Sequence, residues 1–564
     1  MFCLFPSVLC IFLLSSSVST SEDDTVVVTS SGLVKGKRLP VGSRTVTAYL
    51  GIPYAEPPLG KLRFQKPIPH QPWSQILDAN DFGNCCNQIS LKGFPDGEVW
   101  TANRPVSEDC LFLNIWVPHP RPRTPAPVLV WIHGGGFFTG TASLDLYNGA
   151  SLAAAEDLIV ISVNYRLGIL GFLALPPAVP GNMGLLDQQL ALRWVKENAA
   201  VFGGNPAQVT IFGHSAGAAS VGLHLFSPAS QPLFAQAALQ SGSVTAVWAW
   251  ISPEEAKRRA LALAQLLGCA KDNDTAVVSC LQGKDIATFA EYELSKLRSP
   301  MLLDLHFVPT TDGEFLPDEP RKLLEAGRMW AKPVLTGVTS DEASTFVIYS
   351  FPDVVNGLLT WEHLLEGVRM AVRGATEDIV QAVARKYSEE VQGPARYRWA
   401  MLQSCGDYFF VCPVTKLAAK MAEAGNPVYV YSFTHHSSGS TWPEWIGAPH
   451  GAELPYLFGT KSMLGANKTY TQAEAALSRR MMRYWAEFAR SGNPTWSADA
   501  NDVKWPLFNA VQQNFFHLST EPPQVMSISP ARHCGFLAAQ EAAKLKKSKE
   551  ESVLPDKEED SGTQ

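Results

Sequence analysis

The sequence has no excess of positive charge: 46 Lys and Arg against 53 Asp and Glu leave a net charge of −7. That balance gives no reason to expect nucleic-acid binding, which needs clustered positive charge. Cysteine is sparse, ten in 564 residues, and no C-x-x-C pair is matched by a second one, so no zinc framework is expected. Past the N-terminus no apolar run reaches the roughly 18 residues of a membrane span; Gly134 to Gly136 and Arg166 interrupt the best candidates. Charged residues make up only 18% and apolar residues 46%, which excludes a disordered chain and allows a large core. What is abundant is proline (40) and glycine (42), spread as for many turns over a big scaffold, and tryptophan (15) and phenylalanine (28), material for core and for aromatic pocket walls.

Residues Met1 to Leu14 are apolar, although the basic residue usual before such a stretch is missing. Ser17 and Ser19 follow in a small-x-small pattern, so residues 1–20 are expected to be a secretory signal. Export to the extracellular space permits disulfides. Asn273 (Asn-Asp-Thr) and Asn467 (Asn-Lys-Thr) are glycosylation acceptors and are expected on the surface. One folded unit is expected over 21–542. Residues 543–564, a lysine cluster and then an acidic one, are expected to form an unstructured tail.

Apolar, β-branched runs recur at Val128 to Ile132, Leu158 to Val163, Val209 to Phe212, Val334 to Val338 and Val428 to Phe433. Such runs suit strands buried on both faces of a mostly parallel sheet. Helical patterns alternate with them, as at Leu185 to Ala199 and Ala473 to Arg490. The class is therefore α/β, with helices on both faces of a central sheet.

Two motifs carry chemistry. Gly213-His214-Ser215-Ala216-Gly217 is a G-x-S-x-G sequence placed between the strand ending at Phe212 and a small-residue helix start, the context of a nucleophile elbow. The glycines let neighbouring backbone pass close to a strained serine, and the helix N-terminus behind it favours developing negative charge. His133-Gly134-Gly135-Gly136-Phe137 follows the strand ending at Ile132 and reads as an oxyanion hole; a phosphate loop is excluded because the Walker lysine and the G-x-G-x-x-G spacing are absent. Of 12 histidines, His450 lies in a loop after the late strand Val428 to Phe433, where the order serine, acid, histidine places the base. His435 and His436 lie at a strand end, and His306 reads as a pocket-wall residue. Asp341 and Glu342 stand side by side after Val334 to Val338, and either fits as the acid.

With these motifs placed, the chain resembles the cholinesterase and carboxylesterase family of α/β-hydrolases from about Asp24 to Cys534. Further segments carry the likeness: Tyr49-Leu-Gly-Ile-Pro-Tyr-Ala-Glu-Pro-Pro, Ser107-Glu-Asp-Cys-Leu-Phe-Leu-Asn-Ile-Trp, Gly181-Asn-Met-Gly-Leu-Leu-Asp-Gln-Gln and Trp442-Pro-Glu-Trp. The last, with the segments before Trp100 and His450, is most like the butyrylcholinesterase branch. The resemblance implies a serine esterase with the triad Ser215, Glu342 and His450, and an oxyanion hole of the Gly135, Gly136 and Ala216 amides. It implies no cofactor and no metal, and small-molecule esters as substrates. It matches Trp100 to a choline-binding indole, Leu303 and Leu305 to an acyl pocket with room for butyryl and larger groups, and Trp248, Phe346 and Tyr349 to other gorge-lining positions. It also implies the disulfides Cys85–Cys110, Cys269–Cys280 and Cys412–Cys534, leaving Cys86 and Cys405 free.

The chain departs from the family pattern at three positions near the expected ammonium site. His214 stands where a glutamate is usual, Ser90 replaces a rim aspartate, and Ala452 replaces a gorge tyrosine. All three weaken cation recognition, so a reduced preference for choline esters is expected. After Cys534 only Phe536 is aromatic, with no tryptophan stripe and no further cysteine; a monomer or dimer is expected. A broad carboxylesterase with no choline role is the alternative reading. A non-catalytic binding protein on the same fold is a remote one, because no triad member is missing.

Overall fold

A computed structural model describes residues 24–91, 97–297, 301–355, 358–460, 469–497 and 503–553. The expected signal segment and Asn467 lie outside them. Eleven strands form the central sheet: β1 (Lys37–Val41), β2 (Arg44–Pro53), β3 (Phe112–His119), β4 (Ala126–Ile132), β5 (Ile159–Val163), β6 (Gly204–His214), β7 (Gln236–Gln240), β8 (Val334–Thr339), β9 (Val428–Phe433), β10 (Phe516–Leu518) and β11 (Gln524–Val525). Their spatial order is 1-2-3-5-4-6-7-8-9-10-11. From β5 through β10 every pairing is parallel; the antiparallel pairings lie toward the two edges.

The near-continuous apolar runs have the expected cause: each central strand is covered on both sides. Along β4, Val128, Val130 and Ile132 enter one core, and Leu129 and Trp131 enter the other. Helices α1 (Met183–Asn198), α2 (Ala216–His224), α3 (Arg396–Gly406) and α4 (Cys412–Glu423) contribute to the first core, while α5 (Gln472–Ser491) buries Leu477, Met481, Trp485 and Phe488 in the second. Within the segment beginning at Gly181, Asp187 is fully buried and accepts three hydrogen bonds from Arg166, at 3.0, 2.8 and 2.7 Å.

The structure corrects two expectations. Cys86, not Cys85, pairs with Cys110, beside Cys269–Cys280 and Cys412–Cys534. Successive residues of a strand point to opposite faces, and over Cys85–Cys86 the second side chain faces Cys110; the Cys85 thiol lies 3.7 Å from Ser143 Oγ, and Cys85 and Cys405 are free and buried. The second correction concerns the C-terminus. The last helix, α6 (Cys534–Val553), continues past residue 542 into the stretch expected to be unstructured. Ala542, Ala543, Lys544 and Leu545 are strong helix formers, and the Lys544 ammonium donates to the Arg373 carbonyl at 3.1 Å.

No helix among the described residues is long and apolar enough to cross a membrane. Asn273 is exposed at the start of the helix Asp274–Gln282, where its Oδ1 accepts from the Ala276 amide at 2.9 Å.

Candidate active site

The parallel strands bring residues far apart in sequence to one end of the sheet. β6 ends at His214 and α2 begins at Ala216, so the whole turn between them is Ser215, with φ 58° and ψ −122°. A non-glycine residue in that region is strained and persists only where its surroundings enforce it. They do so here. The Ser215 amide donates to the Gln240 carbonyl on β7 at 2.9 Å, and a Cβ at Gly217 would stand 2.0 Å from the Ile132 carbonyl oxygen. The glycines of the G-x-S-x-G motif are thus a steric condition for α2 to pass β4.

The loop after β4 crosses above this turn. A Cβ at Gly134 would stand 2.6 Å from the His214 carbonyl oxygen, and Gly135 has φ 106° with only 2.2 Å between such a Cβ and the Thr139 carbonyl oxygen. No side chain fits between this loop and the elbow. Among the described residues the amides of Gly135, Gly136 and Ala216 have no hydrogen-bond partner. Gly135 and Gly136 border the same cavity as Ser215, and Ala216 follows Ser215 as the first residue of α2.

Asp341 and Glu342, equivalent in the sequence, are separated by the structure. Asp341 turns toward the loop that carries His450: its Oδ2 accepts from Ser340 Oγ at 2.5 Å and from the Ala448 amide at 3.2 Å. Gly447, with φ 67°, leaves room for it, since a Cβ there would lie 2.1 Å from Oδ2. Glu342 turns inward. Its Oε1 accepts from the Thr339 amide at 2.8 Å, and His450 Nδ1 donates to its Oε2 at 2.5 Å. That contact fixes the tautomer: Nδ1 carries the proton and Nε2 has a bare lone pair. Nε2 is enclosed and has no hydrogen-bond partner among the described residues. Burial pushes the Glu342 carboxyl up to about 7, against the hydrogen bond from the Thr339 amide, and pushes the His450 imidazole down to about 3. Each group is held away from its charged form by loss of water.

The other candidate histidines are engaged elsewhere. His435 Nε2 meets Glu474 at 3.1 Å, His436 Nδ1 meets the Gly447 carbonyl at 2.8 Å, and His306 stands 3.7 Å from Asp304.

Ser215 and His450 border a cavity of about 230 Å³. Trp100, Trp248, Leu303, Leu305, Phe346 and Tyr349 all line it, as does His214. Leu305 reaches the glycine-rich loop after β4, its Cδ2 3.4 Å from the position of a Gly136 Cβ. Trp248 is anchored by its indole N–H donating to the Phe409 carbonyl at 3.0 Å. His214 lies between Trp100 (ring centroids 6.3 Å apart, stacked) and His450 (4.3 Å, tilted). Burial, and then the neighbouring His450, hold its imidazole well below the usual range. Ser90 is exposed outside the cavity wall, to which its neighbour Leu91 belongs, and Ala452 packs in the second core.

Sequence reasoning missed two contributors. Phe410 packs on the His450 ring at 4.7 Å and on Phe346 at 5.7 Å. It sits in a π-helical segment, Asp407–Val411, joining α3 to α4; the run Tyr408-Phe409-Phe410 was the available signal. Glu453, fully buried, accepts from Gln240 Nε2 at 3.1 Å, and burial and Glu342 push its carboxyl up to about 7. Nothing in the sequence sets it apart. Among the described residues no group of three or more His, Cys, Asp or Glu side chains is arranged to hold a metal ion.

The family model described as the carboxylesterase family matches residues 23–537. The chain belongs to the carboxylesterase family. Members of this family are α/β-hydrolases, and the chain is an enzyme of the serine ester hydrolase type. It is 45% identical over 528 residues to a cholinesterase of Mus musculus, covering 92% of this chain and 87% of that protein. It is 46% identical over 520 residues to an acetylcholinesterase of Bungarus fasciatus, covering 90% and 85% respectively.

Proposed function

We propose that this carboxylesterase-family protein is a secreted, glycosylated serine esterase that cleaves acyl esters through an acyl-enzyme on Ser215. The observation that carries the reading is the 2.5 Å contact between His450 Nδ1 and Glu342, which leaves Nε2 unprotonated in the cavity that Ser215 borders. Ser215 Oγ attacks the acyl carbon and passes its proton to His450 Nε2. Glu342 holds the ring and stabilises the imidazolium. The oxyanion of the tetrahedral intermediate accepts hydrogen bonds from the amides of Gly135, Gly136 and Ala216. Collapse expels the alcohol with the His450 proton, and water repeats the sequence to release the acid.

Leu303 and Leu305 form the acyl side and accept butyryl and larger groups; the alcohol portion lies against Trp100 and His214. Relatives named for choline esters support a cholinesterase-like substrate range. The neutral imidazole of His214 provides no anion for an ammonium group, so choline esters lose their advantage over neutral esters of equal size. Turnover of butyrylthiocholine and of an uncharged butyryl thioester of similar length tests this. The expected kcat/KM values lie within about tenfold, and a choline advantage of a hundredfold or more overturns the specificity. The same assay on Ser215→Ala, with fluorophosphonate labelling of the parent, tests the mechanism; a loss of at least about 10⁴-fold is expected.

A further inference from the structure

One polar group in the cavity wall has no part in the triad. His214 is 2% exposed. Its backbone is fixed by β6, where it pairs with Gln240 of β7, and by the oxyanion loop against its carbonyl. Its ring is held between Trp100 and His450. Gly451, with φ 84°, admits it: a Cβ there would lie 3.4 Å from His214 Cε1 and 2.8 Å from the Trp100 indole. Yet Nε2 of this locked ring has no hydrogen-bond partner among the described residues. Such a buried polar atom is normally satisfied. His450 Nε2, one ring away, is unpartnered and enclosed to the same degree, so this depth does not separate an atom from the reacting centre.

A neutral imidazole offers one donor and one acceptor. A quaternary ammonium group has neither an N–H nor a lone pair to meet it, and an alkyl chain has nothing; a hydroxyl has both. We propose that His214 is a specificity-determining residue that hydrogen-bonds a hydroxyl on the alcohol portion of the ester, so that the favoured substrates are partial esters of small polyols. This rests on the esterase reading above and adds the substrate class to it. Trp100, stacked on the far side of His214, supplies the apolar wall for the carbon chain that carries the hydroxyl.

The pair 2-hydroxyethyl butyrate and propyl butyrate tests it, because the two differ only in OH against CH₃ at the chain end. The readout is the ratio of their kcat/KM values. In the parent the hydroxyethyl ester is expected to be hydrolysed at least as efficiently as the propyl ester. His214→Leu is expected to lower the ratio about tenfold, the effect of one neutral hydrogen bond, while His214→Gln, which keeps a donor and an acceptor, retains most of it. A propyl advantage of fivefold or more in the parent overturns the proposal, whether or not the variants fold. So does a change under twofold in His214→Leu, or an equal loss in both variants. Failure of the parent to hydrolyse either ester would instead overturn the esterase reading.

Discussion

At the scale of single residues, the candidate site keeps charge out, and the proposed mechanism depends on it. His450 must be neutral to accept a proton, and burial holds its imidazole below the ordinary 6.5. A lowered pKa means that the base form survives to lower pH, so the acid limb of kcat/KM for a neutral ester is expected to have its midpoint below pH 6.5. A pH–rate profile checks this, and a midpoint above that value contradicts it. Glu342→Gln, with its amide oxygen kept by the Thr339 N–H, turns an NH2 donor toward His450 Nδ1 and so favours the wrong tautomer. Since His450 Nδ1 would then lose its fixed proton, activity is expected to fall by about 10³–10⁴-fold, with fluorophosphonate labelling slowed in parallel. An unchanged rate would place the orienting role elsewhere; Glu453 is a fully buried carboxyl whose charge interacts with Glu342. That Ser215, the glycine-rich loop and His450 come together at one cavity was legible in the sequence, because each sits in a short local pattern. The choice of Glu342 over Asp341 was not legible from residue types. It depends on which way two adjacent side chains turn, and that is settled by Gly447 and Ala448, more than a hundred residues along the chain.

At the scale of elements, α5 shows how a buried charge can organise a helix start. Thr471 and Glu474 form a reciprocal cap, the Glu474 carboxylate accepting from the Thr471 amide and the Glu474 amide donating to Thr471 Oγ1. Burial alone would raise the Glu474 pKa, but amide donors at Ser438 and Thr471, with His435 and Ser438 Oγ, together hold it well below 4.5. A group with a depressed folded pKa contributes stability above its unfolded value and loses it as pH falls. Glu474→Ala is therefore expected to cost about 3 kcal/mol at pH 7, with the difference from the parent shrinking below pH 4.5; denaturant titrations at the two pH values measure it. The five strands read from apolar runs are all present, because a strand covered on both faces must be apolar throughout. β6 begins earlier than its apolar run, at Gly204, since Asn205-Pro206-Ala207-Gln208 looks like a turn and the register shifts before Val209. The π-helical Asp407–Val411 was hidden for a related reason: a reading by the 3.6-residue period has no place for an inserted residue. The pairing of Cys86 instead of Cys85 was hidden because two adjacent cysteines are equivalent until the strand assigns each a face.

At the scale of the molecule, the Cys412–Cys534 disulfide joins α4 to α6 across 122 residues and encloses β9, α5 and the His450 loop. Constraining so long a loop in the unfolded chain contributes about 4–5 kcal/mol. Cys534→Ser is expected to lower stability by that amount in denaturant titration, and a shift under 1 kcal/mol would show that packing alone holds α6 in place. The same topology sets the order in which the working parts arrive. From β6 onward the strands join the sheet in the order in which they are made. On the ribosome Ser215, the glycine-rich loop and β7 have all been made before half of the chain has emerged, whereas His450 comes more than two hundred residues later. Over that interval the nascent chain holds the serine without the imidazole, and on the proposed mechanism it becomes a hydrolase only once some four fifths of the chain has been made.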